Sequence, residues 1–225
     1  PIIIRTMQCF QQHPDVSAIA VVCLNGWETV LQSYANQFMI DKLKWIFPGG
    51  NTGMESIHNG VYGLKEMGCN DEDLVLIHDG VRPLLSQEII SSNIAICKAY
   101  GYAITGIQCR EAILESGDGF TSTTSIPRDT LIRTQTPQTF RLKNIIRAHE
   151  SAYKKGIVNS VASCTLLAEL DENRRRFFWR SRKQGGRWIA EPATLGRSSG
   201  TRCWNLWVRR GSAMSQLLRS ASRRN

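Results

Sequence analysis

Short apolar runs, separated by longer stretches with helical spacing, constrain the fold of this chain more than any other feature. The runs are "AIAVVCL" (18–24), "LKWIF" (43–47), "DLVLIHD" (73–79) and "YAITGIQ" (102–108). A run that is apolar at successive positions, and not at alternate ones, reads as a strand buried on both faces. Between the runs the spacing changes. "IIIRTMQCFQQH" puts Ile3, Met7 and Phe10 on one helical face, and "WETVLQSYANQF" does the same for Val30, Leu31, Tyr34 and Phe38. Met54, Ile57, Val61 and Leu64 recur at three and four; Thr52 and Glu55 make a capping-box pattern before them, and Gly68 is a natural stop. "SQEIISSNIAICKAYG" has Ser86 as candidate cap and Gly101 as terminator, and "RLKNIIRAHESAYKKG" is a last helix. Residues 117–140, rich in Gly, Thr and Pro, are expected to form turns and short strands. Strands alternating with helices predict βαβ units and an open, mainly parallel α/β sheet. One element is out of place: the chain opens on a helix, where such folds usually begin with a strand and a phosphate-binding turn.

Charge divides the chain in two. Residues 1–170 hold 14 Lys and Arg against 16 Asp and Glu; residues 171–225 hold 14 against 3. The expected organisation is therefore an α/β domain over 1–170 and a basic, Arg/Trp-rich, poorly ordered tail over 171–225, which has no sustained period of 2 or 3.6. No window approaches the roughly 20 apolar residues of a membrane span, and no signal-like segment opens the chain, so a cytoplasmic, unprocessed protein is expected. The start on Pro1 suggests sequence missing upstream. The seven cysteines show no C-x-x-C spacing and sit mostly in apolar stretches, which predicts buried reduced thiols and not a zinc site.

Three constellations carry candidate chemistry. Gly49 and Gly50 precede a helix N-terminus, where backbone N–H groups and the helix dipole suit an anion or a base edge; a tight strand-to-helix turn is the plainer alternative. "VLIHDGVRPLL" (75–85) ends a strand in His78 and Asp79, followed by Gly80, Arg82 and Pro83. A carboxylate at the C-terminal end of a central strand faces the ligand crevice of open α/β sheets and suits Mg²⁺. Arg82 has the planar fork for a phosphate, Pro83 fixes the backbone, and His78 reads as structural; a capped strand end is the alternative for Asp79. In "PRDTLIRTQTPQTF", Arg128 and Arg133 lie in a polar, turn-rich stretch that ends in Thr136, Pro137 and Gln138. No catalytic triad, histidine cluster or Walker A loop is present, so phosphate and nucleotide handling is favoured over acyl chemistry.

"GGNTGMESIHNGV", "VLIHDGVRPLLS" and "TQTPQTF", in this order and spacing, resemble the cytidylyltransferases that act on 2-C-methyl-D-erythritol 4-phosphate and their relatives acting on ribitol 5-phosphate. The resemblance covers residues 1 to about 170. It implies a Rossmann-like nucleotidyltransferase domain lacking its usual first strand, a homodimer, and attack of an alditol-phosphate oxygen on the α-phosphorus of CTP with loss of pyrophosphate. It assigns Gly50, Asn51 and Ser56 to the cytosine and ribose, Asp79 to Mg²⁺ and Gly80 to the nucleotide. Arg82 supports the site, Arg128 orients the substrate phosphate, and Thr136 lines the same pocket.

Several family features are missing from this text. The Gly-rich loop with its Arg and Lys would precede Pro1, the arginine of the family's "GG-x-x-R" is Gly53, and the terminal "IK-[IV]-T" element is not found. Glu111–Ala112 stands where the family has "DT", which fits the alditol-phosphate side better than the methylerythritol side. A truncated, inactive member is thus one expectation. The alternative function is nucleic-acid binding through the basic tail, where Arg and Trp neutralise phosphates and stack on bases.

Overall fold

The computed structural model describes residues 1–170 in full and, beyond them, only the backbone of three strands: β8 (Arg182–Gln184), β9 (Arg187–Ile189) and β10 (Cys203–Val208). The expected tail otherwise lies outside the described residues, and with it the nucleic-acid alternative. The order is α1 (Ile2–Gln11), β1 (Ala18–Cys23), α2 (Glu28–Gln37), β2 (Leu43–Pro48), α3 (Gly53–Glu66), β3 (Leu74–Asp79), α4 (Gln87–Tyr100) and β4 (Tyr102–Gln108). A hairpin of β5 (Ile113–Glu115) and β6 (Thr124–Ile126) follows, then a 3₁₀ turn at Arg128–Thr130, β7 (Ile132–Arg141), α5 (Leu142–Lys154) and α6 (Ser163–Glu169).

Six strands form the main sheet in the order β2-β1-β10-β3-β7-β4. Its first four strands are parallel, as the apolar runs of β1, β2 and β3 predict, and all six residues of β1 are buried. Side chains alternate between two cores. Ala18, Ala20, Val22, Val75 and Ile77 face α3, α5 and α6; Ile19, Val21, Leu74 and Leu76 face α1, α2 and α4. The backbone of β10 lies between β1 and β3 and parallel to both, so a strand late in the sequence occupies the middle of the sheet.

The structure corrects the reading of residues 117–140. Its second half is the ten-residue strand β7, set antiparallel between β3 and β4. The reason lies in the connection: the β5–β6 hairpin and a 3₁₀ turn separate β4 from β7, and without a crossover helix consecutive neighbours run antiparallel. The register slips between Ile104 and Gly106, opposite the stretch containing Pro137, and such an irregularity accommodates a residue with no N–H to donate.

Capping signals hold well elsewhere, but of the face predicted for α2 only Leu31 is buried, while Val30, Tyr34 and Phe38 are exposed and Ala35 takes the inward position. The Thr52 hydroxyl accepts from Glu55 N–H at 3.0 Å, Ser86 caps α4, and Gly101 ends it in the left-handed conformation at φ 91°. Gly63 on α3 lies against the Phe47 ring so closely that a Cβ would stand 2.6 Å from it. Of the cysteines with described side chains, Cys23, Cys69, Cys97, Cys109 and Cys164 are buried, Cys9 is half-buried, and all six are free thiols. No helix among the described residues is long and apolar enough to cross a membrane.

Between α3 and α5, His149 is 3% exposed and stands edge-on to His58 at 5.7 Å. Burial, with a smaller effect of His58, holds its pKa down to about 4. Because the folded value lies below the ordinary 6.5, the unfolded chain binds the extra proton between these limits. Stability from this group is complete above about pH 6.5 and is lost as pH falls towards 4. His149→Phe keeps the ring and removes the proton acceptor. In urea titrations at pH 7 and 5 it should abolish about 2 kcal/mol of the acid-induced loss of stability; an unchanged pH dependence refutes the assignment.

Candidate active site

Register brings the ends of the parallel strands to one rim. Pro48 pairs with Cys23, and Val208 pairs with both Val22 and Asp79, so β2, β1, β10 and β3 finish level. The turn after β2 and the turn after β3 therefore flank one crevice, three strand spacings or about 14 Å apart.

The first wall is the turn Gly49–Asn51 and the start of α3. Of the two readings of these glycines, amides open to a ligand or a tight strand-to-helix turn, the hydrogen bonds fit the tight turn. Gly49 N–H donates to Cys23 O at 2.7 Å, Gly50 N–H to Ser56 Oγ at 3.0 Å, and Asn51 N–H to Glu55 Oε2 at 2.6 Å. The capping box explains the last of these: Glu55 sits on the helix end and its carboxylate folds back over the turn. Ser56 Oγ in turn donates to Thr52 O at 2.9 Å, and Asn59 Nδ2 donates to Pro48 O at 3.2 Å. Gly50 leaves room for Glu55, since a Cβ there would stand 2.4 Å from Glu55 Cγ. With the three turn amides used internally and a carboxylate folded over them, the turn itself presents acceptors, while the first N–H groups of α3 remain beside it.

The second wall is built on Asp79. Arg82 N–H donates to Asp79 O at 3.1 Å, closing a four-residue turn. The turn folds the guanidinium back: Arg82 Nε donates to Asp79 Oδ2 at 2.7 Å and Nη1 to Gln135 Oε1 at 2.6 Å. Thr136 Oγ1 accepts from Asp79 N–H at 3.3 Å, joining β7 to the same point. His78 is buried beneath, its Nε2 3.1 Å from Arg82 O, and desolvation lowers its pKa to about 4. The imidazole is neutral over the working range and acts as a hydrogen-bonding post, in keeping with its structural reading.

The "QTPQTF" segment now has a physical account. Gln135 holds Arg82, Pro137 O accepts from Thr105 Oγ1 at 2.8 Å, and Phe140 is fully buried. The Gln138 amide accepts from Cys164 N–H at 3.0 Å, while its Nε2 lies 3.3 Å from Cys164 Sγ, fastening the start of α6 to the sheet. A cavity of about 370 Å³ opens behind Arg82, between the 81–85 loop and the irregular stretch at Gly106.

Asp79, Gly80, Arg82 and Thr136 are thus brought together, and Gly50, Asn51 and Ser56 form the facing wall. Arg128 is not brought to them. It is exposed on the 3₁₀ turn at the foot of the hairpin, and the four residues from Thr136 back to Ile132 already carry β7 about 14 Å past Asp79. Arg133 is ion-paired with Glu111 at the sheet rim. Sequence reading missed Thr6, Cys9 and Gln135. Thr6 Oγ1 reaches Gly80 O at 3.2 Å and Cys9 Sγ reaches Pro83 O at 3.4 Å, both from α1. A hydroxyl on the apolar face of that helix was the available signal.

A doubly covered, mostly parallel sheet with its ligand walls at the strand ends defines a Rossmann-like α/β nucleotidyltransferase fold. The chain belongs to the 2-C-methyl-D-erythritol 4-phosphate cytidylyltransferase family (IspD), whose model matches residues 1–166. It is an enzyme of the CTP-dependent cytidylyltransferase class. It is 36% identical over 172 residues to the ribitol-5-phosphate cytidylyltransferase of Lacticaseibacillus paracasei, covering 76% of this chain and 73% of that one. It is 33% identical over 176 residues to the 2-C-methyl-D-erythritol 4-phosphate cytidylyltransferase of Clostridium acetobutylicum, covering 77% and 73%. The solved 4-diphosphocytidyl-2C-methyl-D-erythritol synthase of Anaerococcus prevotii shares the fold, with a TM-score of 0.67 at 17% identity over 100% of this chain and 86% of that one.

Gly50→Ala should push the Glu55 side chain off the Asn51 amide. The expected result is a KM for CTP raised about tenfold, or about 1.4 kcal/mol, with kcat within twofold; an unchanged KM would show that Glu55 does not shape the nucleotide wall.

Proposed function

We propose that this chain transfers CMP from CTP to an alditol phosphate, with ribitol 5-phosphate preferred, releasing pyrophosphate and a CDP-alditol. The observation that supports it best is the polarity of the two walls. The Gly49–Asn51 turn has used its three N–H groups, which leaves carbonyls and the Glu55 carboxylate. Such a surface suits the exocyclic amino group of cytosine and repels phosphate oxygens. It directs the base of CTP to Gly50, Asn51 and Ser56, and the triphosphate to the opposite wall, where Asp79, Gly80, Arg82 and Thr136 lie. Ribitol 5-phosphate is preferred on the identity to the relatives that bear that name and on Glu111–Ala112.

The alditol-phosphate oxygen attacks the α-phosphorus as the bond to the β-phosphate oxygen breaks, so no covalent enzyme intermediate is needed. Catalysis is positioning and neutralisation of charge. Asp79 is one carboxylate at a partly open strand end, a donor set that suits Mg²⁺ completed by water and phosphate oxygens. When bound there, Mg²⁺ would supply charge neutralisation at the triphosphate. Arg82 releases Asp79 to take up a phosphate oxygen, and Gln135 guides it.

We place Arg128 on the substrate phosphate within a homodimer. The β5–β6 hairpin pairs with itself, a two-stranded unit of marginal stability alone, and it exposes Phe120 at 95% and Leu114 at 63%. A second copy packed on the hairpin covers these side chains and brings Arg128 towards a crevice that its own chain does not reach. The free buried thiols suit a reducing, cytoplasmic setting.

Incubation with CTP, Mg²⁺ and either ribitol 5-phosphate or 2-C-methyl-D-erythritol 4-phosphate, with pyrophosphate measured, tests the reading. Release is expected with the higher kcat/KM for ribitol 5-phosphate; silence with both overturns it. UTP should be used about 10- to 100-fold less well than CTP, the cost of facing its O4 acceptor with acceptors. Asp79→Ala should lower kcat by about 10² to 10³, and equal activity would remove Asp79 from the site.

A further inference from the structure

The side of the Asp79–Arg82 turn that faces the protein interior is held by side chains that play no part in the proposed chemistry. Three carbonyls of the segment, those of Gly80, Arg82 and Pro83, meet side chains from α1 and β3. Thr6 Oγ1 lies 3.2 Å from Gly80 O and 3.1 Å from Ile2 O, which share its one proton, Arg82 O lies 3.1 Å from His78 Nε2, and Cys9 Sγ lies 3.4 Å from Pro83 O and 3.5 Å from Arg5 O. Thr6 and His78 are 0% and 1% exposed. Their supports are fixed as well: the His78 ring stands edge-on to Phe10 at 5.3 Å, and Gln87 Nε2 donates to Cys9 O at 2.8 Å. The solvent side of the segment is the reverse, with Val81, Arg82 and Leu84 exposed. The guanidinium thus reaches Asp79 and Gln135 from a backbone pinned on its buried side by α1 and β3.

We propose that Thr6 and His78 are positioning residues of the reaction, which hold the Gly80 and Arg82 carbonyls and thereby fix the backbone from which the Arg82 guanidinium passes from Asp79 to a phosphate oxygen. The inference rests on the cytidylyltransferase reading for its kinetic consequence and on the hydrogen bonds alone for its structural one. Removing either donor leaves a carbonyl in the protein interior without its partner, and the turn relaxes outward to satisfy it. A displacement of about 1 Å at a charge-neutralising group is enough to cost tenfold or more in rate, while the base wall across the crevice is untouched.

Thr6→Val keeps the shape of the side chain and removes the hydroxyl, and Thr6→Ser restores it. With the full chain, CTP, Mg²⁺ and the alditol phosphate that serves as substrate, Thr6→Val should lower kcat at least tenfold. KM for CTP should stay within twofold, and Thr6→Ser should recover most of the loss. His78→Phe should behave like Thr6→Val. Arg82→Ala should cost much less in the Thr6→Val background than in the parent, because the guanidinium is already misplaced. Hydrogen exchange of the Arg82 amide, which bonds Asp79 O, should quicken about tenfold in Thr6→Val with the melting temperature nearly unchanged.

Equal kcat in Thr6→Val and parent overturns the proposal, as does a loss that Thr6→Ser fails to restore, or additive effects of Thr6→Val and Arg82→Ala. If the parent releases no pyrophosphate, the functional reading falls separately. The exchange measurement on the resting protein then decides: faster exchange upholds the anchor, and unchanged exchange refutes it.

Discussion

Burial of both faces of a mostly parallel sheet is the constraint on which the rest of this structure depends. A strand apolar at every position cannot leave either face in water, so helices must cover both, and α1, α2 and α4 do so on one side while α3, α5 and α6 do so on the other. Crossover helices keep successive strands parallel, and parallel strands deliver their following turns to the same rim. The Gly49–Asn51 and Asp79–Arg82 turns face one another for that reason, although 27 positions separate Thr52 from Asp79 in the sequence.

The two walls differ in electrostatic character because their turns are closed in different ways. On the β2 side a helix cap consumes the amide donors and folds a carboxylate over them. On the β3 side a four-residue turn brings a guanidinium back onto the strand-end carboxylate, with β7 supplying Gln135 and Thr136 from across the sheet. One crevice therefore carries an acceptor surface at one end and an Arg–Asp pair at the other. This polarity suits a ligand with an amino-bearing base at one end and anionic groups at the other.

The interruptions of the regular pattern lie near this rim. Strand β7 runs against its neighbours, its pairing to β4 slips at Thr105 opposite the Pro137 stretch, and the hairpin before it stands away from the body with Phe120 in solvent. In β1 and β3, by contrast, the apolar pattern and the burial agree, whereas β10 and β7, also inside the sheet, were not read as long strands. Helix α6, only seven residues long, was not read from the sequence. Its buried Cys164, Leu166 and Leu167 join the core, and the amide of Gln138 fastens its start across 26 positions.

Much of the fold was legible in the sequence, because its signals are local. The apolar runs marked the strands β1 to β4, Thr52, Glu55, Ser86 and Gly101 marked helix ends, and the motifs around Asp79 and Gln138 pointed to a nucleotidyltransferase. These depend on neighbours a few residues away, where periodicity and capping are decided. Only the tertiary structure decided that β7 runs antiparallel, that the amides of Gly50 and Asn51 are already taken, and that Arg128 stands apart from Asp79. It alone set Thr6 and Cys9 of the first helix under the turn that follows Asp79. Each of these is a pairing across tens of residues, fixed by which surfaces the buried sheet brings together and invisible to any window that reads the chain a few positions at a time.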